Sequence, residues 1–156
     1  MAGVVVVLGL VAAGCSSPGS IQDQMQSWVS STGYGPSTGS LVHDAQKAQS
    51  VLSAGEGVNA AHTVCAVLLL ESESANGNLP APDPTTTSLL SKAYDALGAA
   101  ANACYSASTN ASALIAFGIH KSTGLALLAE ANARIEAVIG RTVSTSTTAD
   151  NGSLAQ

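Results

Sequence analysis

Between Ser20 and Gly140 the apolar residues recur every three or four positions, and nearly all of them are Leu, Val, Ile or Ala. That spacing follows the 3.6-residue turn of an α-helix and restricts the chain to helices with one buried stripe each. No run of strand-like alternation bounded by hairpin turns competes with it. Aromatic residues make up only 3% of the chain, so bulky rings cannot fill the core. The helices must instead approach closely over small side chains. A length of 156 residues suits a single core. The expected fold is all-α, a small bundle of three to four main helices.

Local punctuation places those helices. Ser20 with Asp23 three residues on forms a capping box, and Ile21, Met25, Trp28 and Val29 share one face of a short first helix. Gly33 and the Gly35-Pro36 pair are expected to end it. A second helical region runs from about Ser40 to Glu73, with Leu41, Ala45, Ala48, Leu52, Val58, Cys65 and Leu69 on its apolar face. Gly55-Glu56-Gly57 interrupts it, and two glycines cost about 2 kcal/mol relative to alanine, which predicts a bend near Gly55 to Gly57. The first helix is expected to cover the segment before that bend. After a linker over 76–82, Asp83-Pro84 starts a third helix whose buried face is Leu90, Ala93, Tyr94, Leu97, Ala100, Ala101 and Cys104. The fourth follows Asn110 and carries Leu114, Phe117, Leu125, Leu128, Ala131, Ile135 and Ile139 before Gly140 stops it. Its stretch from Ser112 to Ala129 is apolar, but His120 and Lys121 lie within it, as expected of a bundle helix rather than a membrane span. The segment 142–156, rich in Ser and Thr, is expected to be a disordered tail.

The net charge is −5, and the five basic residues, Lys47, Lys92, Lys121, Arg134 and Arg141, are scattered. Nucleic acid is excluded as a partner, because phosphate neutralisation needs clustered cations.

At the amino terminus an unbroken apolar and glycine run from Val4 to Val11 stops at Ala12-Ala13-Gly14-Cys15, followed by Ser16-Ser17-Pro18-Gly19. This resembles the signal peptide and lipobox of bacterial lipoproteins, and with the composition of the remainder it is similar to the small Ala-rich lipoproteins of high-GC actinobacteria and their phages. The run is shorter than the ~20 residues a spanning helix needs. Ala12 stands where that pattern usually has leucine. No Lys or Arg precedes the run, so a start upstream of Met1 is expected. The resemblance implies that 1–14 is a signal peptide, that Cys15 is lipidated and becomes the first mature residue, that 15–19 is a tether, and that 20–141 forms the helical domain. It also implies a location on the extracytoplasmic face of the cell membrane, held by lipid.

Export in turn implies an oxidising compartment, in which the remaining pair, Cys65 and Cys104, is expected to form a disulfide between the second and third helical regions. A loop of that size contributes roughly 4 kcal/mol in the chain-entropy account. The two positions stand at different distances from their helix ends, so the proline-containing linker 78–82 must climb ~15 Å.

Candidates for chemistry are few. His62 lies one turn before Cys65, and His62, Cys65 and Cys104 together are three of the four ligands a structural metal needs. His43 and His120 sit on polar or boundary faces. Glu71 and Glu73 point to different sides of a helix and are read as a solvated helix end. No serine lies in a nucleophile elbow or a Ser-x-x-Lys arrangement. No catalytic residue, cofactor or metal is therefore assigned. The expected function is a non-enzymatic binding or interaction module displayed at the membrane, with an envelope protein as partner. The alternatives are an envelope enzyme or metal-handling protein using His62, Cys65 and Cys104, and, by analogy with phage lipoproteins, superinfection exclusion.

Overall fold

Residues 19–145 are described by the computed structural model. Among them are five α-helices and no strand: α1 (Ile21–Ser31), α2 (Tyr34–Ala54), α3 (Val58–Asn76), α4 (Pro84–Ala107) and α5 (Ala111–Ile139). The all-α expectation holds. The number of helices is larger than the three to four read from sequence, because the expected bend is a full reversal. Gly55 and Gly57 both have positive φ, at 65° and 96°, which glycine adopts without steric cost. The amides of Gly55 and Glu56 close the end of α2 on the carbonyls of Leu52 and Val51, the Schellman pattern. The chain then turns back, and α3 packs against α2.

A second correction concerns Gly35-Pro36. These residues do not end a helix but lie in the first turn of α2, which begins at Tyr34 and not near Ser40. The first-turn amides of a helix have no intrahelical acceptor, so proline there gives up nothing. The turn between α1 and α2 is made by Gly33 alone in the left-handed region, at φ 61°. Gly35 is buried, and a Cβ on it would collide with the Ser144 carbonyl. Residues 143–144 thus lie against the start of α2, and the Val143 amide donates to Glu136 Oε1 at 3.1 Å. The rest of the segment read as a tail, from 146 onward, lies outside the described residues.

The other helix ends follow the sequence. Ser20 and Asp23 form the capping box of α1. The Asn110 side chain accepts the amides of Ser112 and Ala113 at the start of α5, and Gly140, at φ 70°, closes it. α1 lies across α5 and α2 through the fully buried Met25. Gln22 Nε2 donates to the Ile139 carbonyl at 3.0 Å, so the start of α1 sits at the C-terminal end of α5. The α2–α3 turn and the α4–α5 loop share the opposite end, where Gly55, Gly57, Ala107, Ser108 and Leu114 line one groove.

The core is built mainly along α4 and α5. Leu90, Ala93, Leu97, Ala100, Ala101 and Cys104 of α4 are fully buried against Phe117, Ala131 and Ile135 of α5, also fully buried, and Leu128 at 2% exposure. Three residues assigned to the apolar stripes of their helices do not enter the core, among them Ile21 at the start of α1, 48% exposed. Val58 is 43% and Leu114 38% exposed; both lie at the start of their helices and line the groove at that end. α4 and α5 approach closely at Gly124, where a Cβ would stand 2.6 Å from Leu97 Cγ and 3.1 Å from the Ala93 carbonyl oxygen. α5 is the one described helix long and apolar enough to cross a membrane. Its inner face supplies this core, as a bundle helix does.

Gly124→Ala should therefore cost about 1–3 kcal/mol through overpacking, in spite of alanine's better helix propensity. Gly118, on the same helix with nothing within 4 Å of an added methyl, is the control: Gly118→Ala should stabilise by roughly 0.5–1 kcal/mol. Urea melts of the two variants check this, and equal shifts would disprove close packing at Gly124.

Candidate functional site

Cys65 and Cys104 are brought together as expected. The bridge joins α3 to α4 with a Cα–Cα distance of 5.7 Å, and both residues are fully buried. α3 ends at Asn76, eleven residues past Cys65, while α4 begins at Pro84, twenty before Cys104. Antiparallel neighbours bridged this way are offset by about 14 Å at 1.5 Å per residue. The segment 77–83 spans that offset. Its Ala81 is buried, and the Thr87 hydroxyl both accepts from the Ala81 amide and donates to its carbonyl, each at 3.0 Å. The Trp28 indole donates to the Asn78 carbonyl at 3.1 Å, so α1 holds the linker from outside.

His62 is exposed and lies beside the bridge, its Nε2 3.0 Å from the Tyr105 carbonyl and its ring 5.4 Å from the Tyr105 ring. With both sulfurs in a disulfide they are not thiolates, the form a metal would need. Among the described residues no group of three or more His, Cys, Asp or Glu could hold a metal ion. His43 and His120 are exposed. Cys15, read as the lipidated residue, lies outside the described residues. α1 starts with its cap at Ser20, so residues 16–19 separate Cys15 from the folded domain.

Two polar arrangements were not legible from sequence. The first is centred on Asp83, 6% exposed. Its carboxylate caps α4 by accepting the Thr86 amide and hydroxyl, both at 2.8 Å. It also receives Arg134 of α5 bidentately, with Nε on Oδ2 at 3.0 Å and a terminal nitrogen on Oδ1 at 2.8 Å. Arg134 above all, with the Thr86 bonds, holds the Asp83 carboxyl far below the usual carboxylate range. The cap role was visible in Asp83-Pro84, but nothing local points to an arginine 51 residues away. Nearby, the buried Tyr34 hydroxyl donates to Asn132 Oδ1 at 2.7 Å, and burial pushes its pKa up to about 12. Burial raises Tyr94 as well. These groups fix the register of α2, α4 and α5 and have the character of structure, not catalysis.

The second is Glu71. It does not belong to a solvated helix end: its Oε2 is buried and its carboxyl faces Asp44, while Glu73 is exposed. Burial first, and then the negative charge of Asp44 on α2, push the Glu71 carboxyl up to about 7. The sequence could not show this because the facing acid is on another helix.

Besides a groove of about 350 Å³ at the end of the bundle where α1 starts, lined by Val29, Pro36, Ile139 and Val143 among others, two grooves mark the described surface. One, of about 320 Å³, runs between α3 and α4 and is lined by Ser72, Glu73, Asn76, Tyr94, Asp95 and Asn102 among others, giving a polar, acidic wall. The other, of about 230 Å³, lies at the end of the bundle carrying the α2–α3 turn, and its apolar wall is Val51, Leu52, Val58, Ala61, Ala107 and Leu114. Together the described residues form a disulfide-pinned bundle of five helices with an apolar-lined groove at each end. No protein-family model, no curated protein and no solved structure matches the chain.

Two carboxyls give opposite pH responses. Stability contributed by Asp83 is present above its unfolded pKa of about 3.9 and is lost as pH falls below it. Asp83→Ala at pH 7 should cost about 2–3 kcal/mol, with Asp83→Asn retaining part of the cap and losing about 1–2 kcal/mol; denaturant midpoints measure both. For Glu71 the raised pKa works the other way: its contribution is present below 4.5 and lost as pH rises through about 7. Glu71→Gln should flatten that decline and stabilise by about 1 kcal/mol near pH 8, a figure reduced for solvent screening. A wild-type melting temperature that does not fall between about pH 5 and pH 8 would contradict the assigned environment.

Proposed function

We propose that the chain is an exported lipoprotein, held by lipid on Cys15 at the extracytoplasmic face of the membrane, and that it works as a non-enzymatic binding module. The geometry that supports this reading is the separation of its two ends. The cap of α1, Ser20, follows Cys15 by five residues, and the helix starts beside the C-terminal end of α5. The apolar groove of Val51, Leu52, Val58, Ala61, Ala107 and Leu114 lies at the other end. α5 alone puts about 43 Å between them at 1.5 Å per residue. A tether at one end thus presents an apolar contact surface at the other, away from the bilayer, suited to an apolar segment of an envelope protein.

The buried Cys65–Cys104 bridge fits an oxidising compartment. Two or more acyl chains, at ~0.8 kcal/mol per buried methylene, would hold the module on the membrane for its lifetime.

Fractionation of the native host tests the reading. The chain should sediment with membranes and expose no free thiol at Cys65 or Cys104, while Cys15→Ser should leave it unprocessed or release it in soluble form. Recovery of the wild-type chain in the cytosol with two titratable thiols and stoichiometric zinc would favour the metal-handling alternative and sink this one.

A further inference from the structure

Among the described residues nothing covers the apolar outer face of α5. Although this helix is apolar enough to cross a membrane, only 17% of its most apolar 18 residues are buried. The side chains turned away from the core form one stripe at helical spacing: Ile115, Ile119, Ser122, Ala126, Glu130, Ala133 and Ala137, all exposed, with Ile115 at 64% and Ile119 at 58%. Its large apolar residues lie in the N-terminal half and its smallest in the C-terminal half.

That distribution is complementary to itself in one arrangement. We propose that the stripe is the contact surface of a homodimer in which two α5 helices pack antiparallel about a two-fold axis through Ala126. In such an isologous pair every residue meets the position equally far on the other side of the axis. Ile115 then faces Ala137, Ile119 faces Ala133, and Ala126 faces its own copy, so each bulky side chain meets a small one and the helices can close. Ser122, whose hydroxyl donates to the Ile119 carbonyl at 2.9 Å, faces Glu130, the one ionisable side chain of the stripe, so that each carboxylate meets a small polar residue and not its own copy. A parallel pair in register would instead oppose isoleucine to isoleucine, leave gaps at the alanines and set the two Glu130 carboxylates side by side. The antiparallel pair separates those carboxylates by about 12 Å along the axis, beyond the ~8 Å screening length of physiological salt, and aligns the helix dipoles favourably.

The area sets the strength. A helix face of about 43 by 10 Å covers roughly 400 Å² per protomer, about half that of a standard interface. The dimer is therefore weak and reversible. This surface is distinct from the apolar end groove, but the antiparallel pair places the two α1 starts at opposite ends of the dimer. Under the tether proposed above the paired bundles therefore lie along the bilayer, and pairing excludes upright presentation of the groove.

Cysteine cross-linking of the full chain in its native membranes tests the arrangement, with the wild-type chain under the same oxidant as the baseline for its own cysteines. Ala126→Cys places a thiol on the axis and should give disulfide dimers well above that baseline. Ile115→Cys alone should not, but should cross-link when mixed with Ala137→Cys. Adding Ile119→Glu to Ala126→Cys should lower the dimer yield by roughly tenfold without changing the melting temperature, since the side chain is mostly exposed. The proposal is overturned if Ala126→Cys stays at baseline, or if Ile115→Cys alone cross-links as well as Ala126→Cys. Reaction of the thiol introduced by Ala126→Cys only with membrane-soluble reagents would also overturn it, by showing that the face meets lipid.

Discussion

The close packing of Gly124 of α5 against Leu97 and Ala93 of α4 sets the terms for everything around it. With 3% aromatic residues the core cannot gain burial from large side chains, and it gains instead from bringing backbones together. Short separations allow Ala93, Ala100, Ala101 and Ala131, all fully buried, to fill the space that larger residues occupy elsewhere. The cost is that a core of small residues buries less apolar surface per residue, and so removes less from water at about 25 cal/mol per Å². The remaining specificity must come from cross-links and polar contacts.

Two of these lie at opposite ends of α4. Near its C-terminus the Cys65–Cys104 bridge ties it to α3. At its N-terminus Asp83 caps the helix and holds Arg134 of α5. Between them the linker 77–83 covers the stagger of α3 against α4, pinned by Trp28 and Thr87. The covalent and ionic clamps thus act on different neighbours of the same helix, and together they fix how far α4 can slide past either one. Tyr34 and Asn132 add a direct link from α2 to α5.

What was legible in the sequence was local. Ser20 with Asp23, Asp83 before Pro84, Asn110 and Gly140 mark helix ends by groups only a few residues apart, and each marks an end in the structure. The buried face read for α4 is buried throughout. Gly35-Pro36 misled because proline signals both the end of one helix and the first turn of the next, and only the left-handed Gly33 before it decides between them. Glu71 misled because its environment comes from Asp44 across a helix pair. Arg134 carried no local signal at all. On α5 the isoleucines of the outer face dilute the apolar period, so the inner stripe could be read but the exposure of Ile115 and Ile119 could not. Cys15, on which the functional reading turns, precedes the described residues.

The proposed tether would stand at the end of the bundle where α1 starts, and the groove at the α2–α3 turn lies at the other. The most direct test of that tether is the intact mass of the native chain extracted from membranes. The account predicts a polypeptide beginning at Cys15, heavier than its sequence by a diacylglycerol with any further acyl chain, and lacking the two thiol hydrogens of Cys65 and Cys104. An unacylated chain that retains the residues before Cys15 and carries all its cysteines reduced would contradict it.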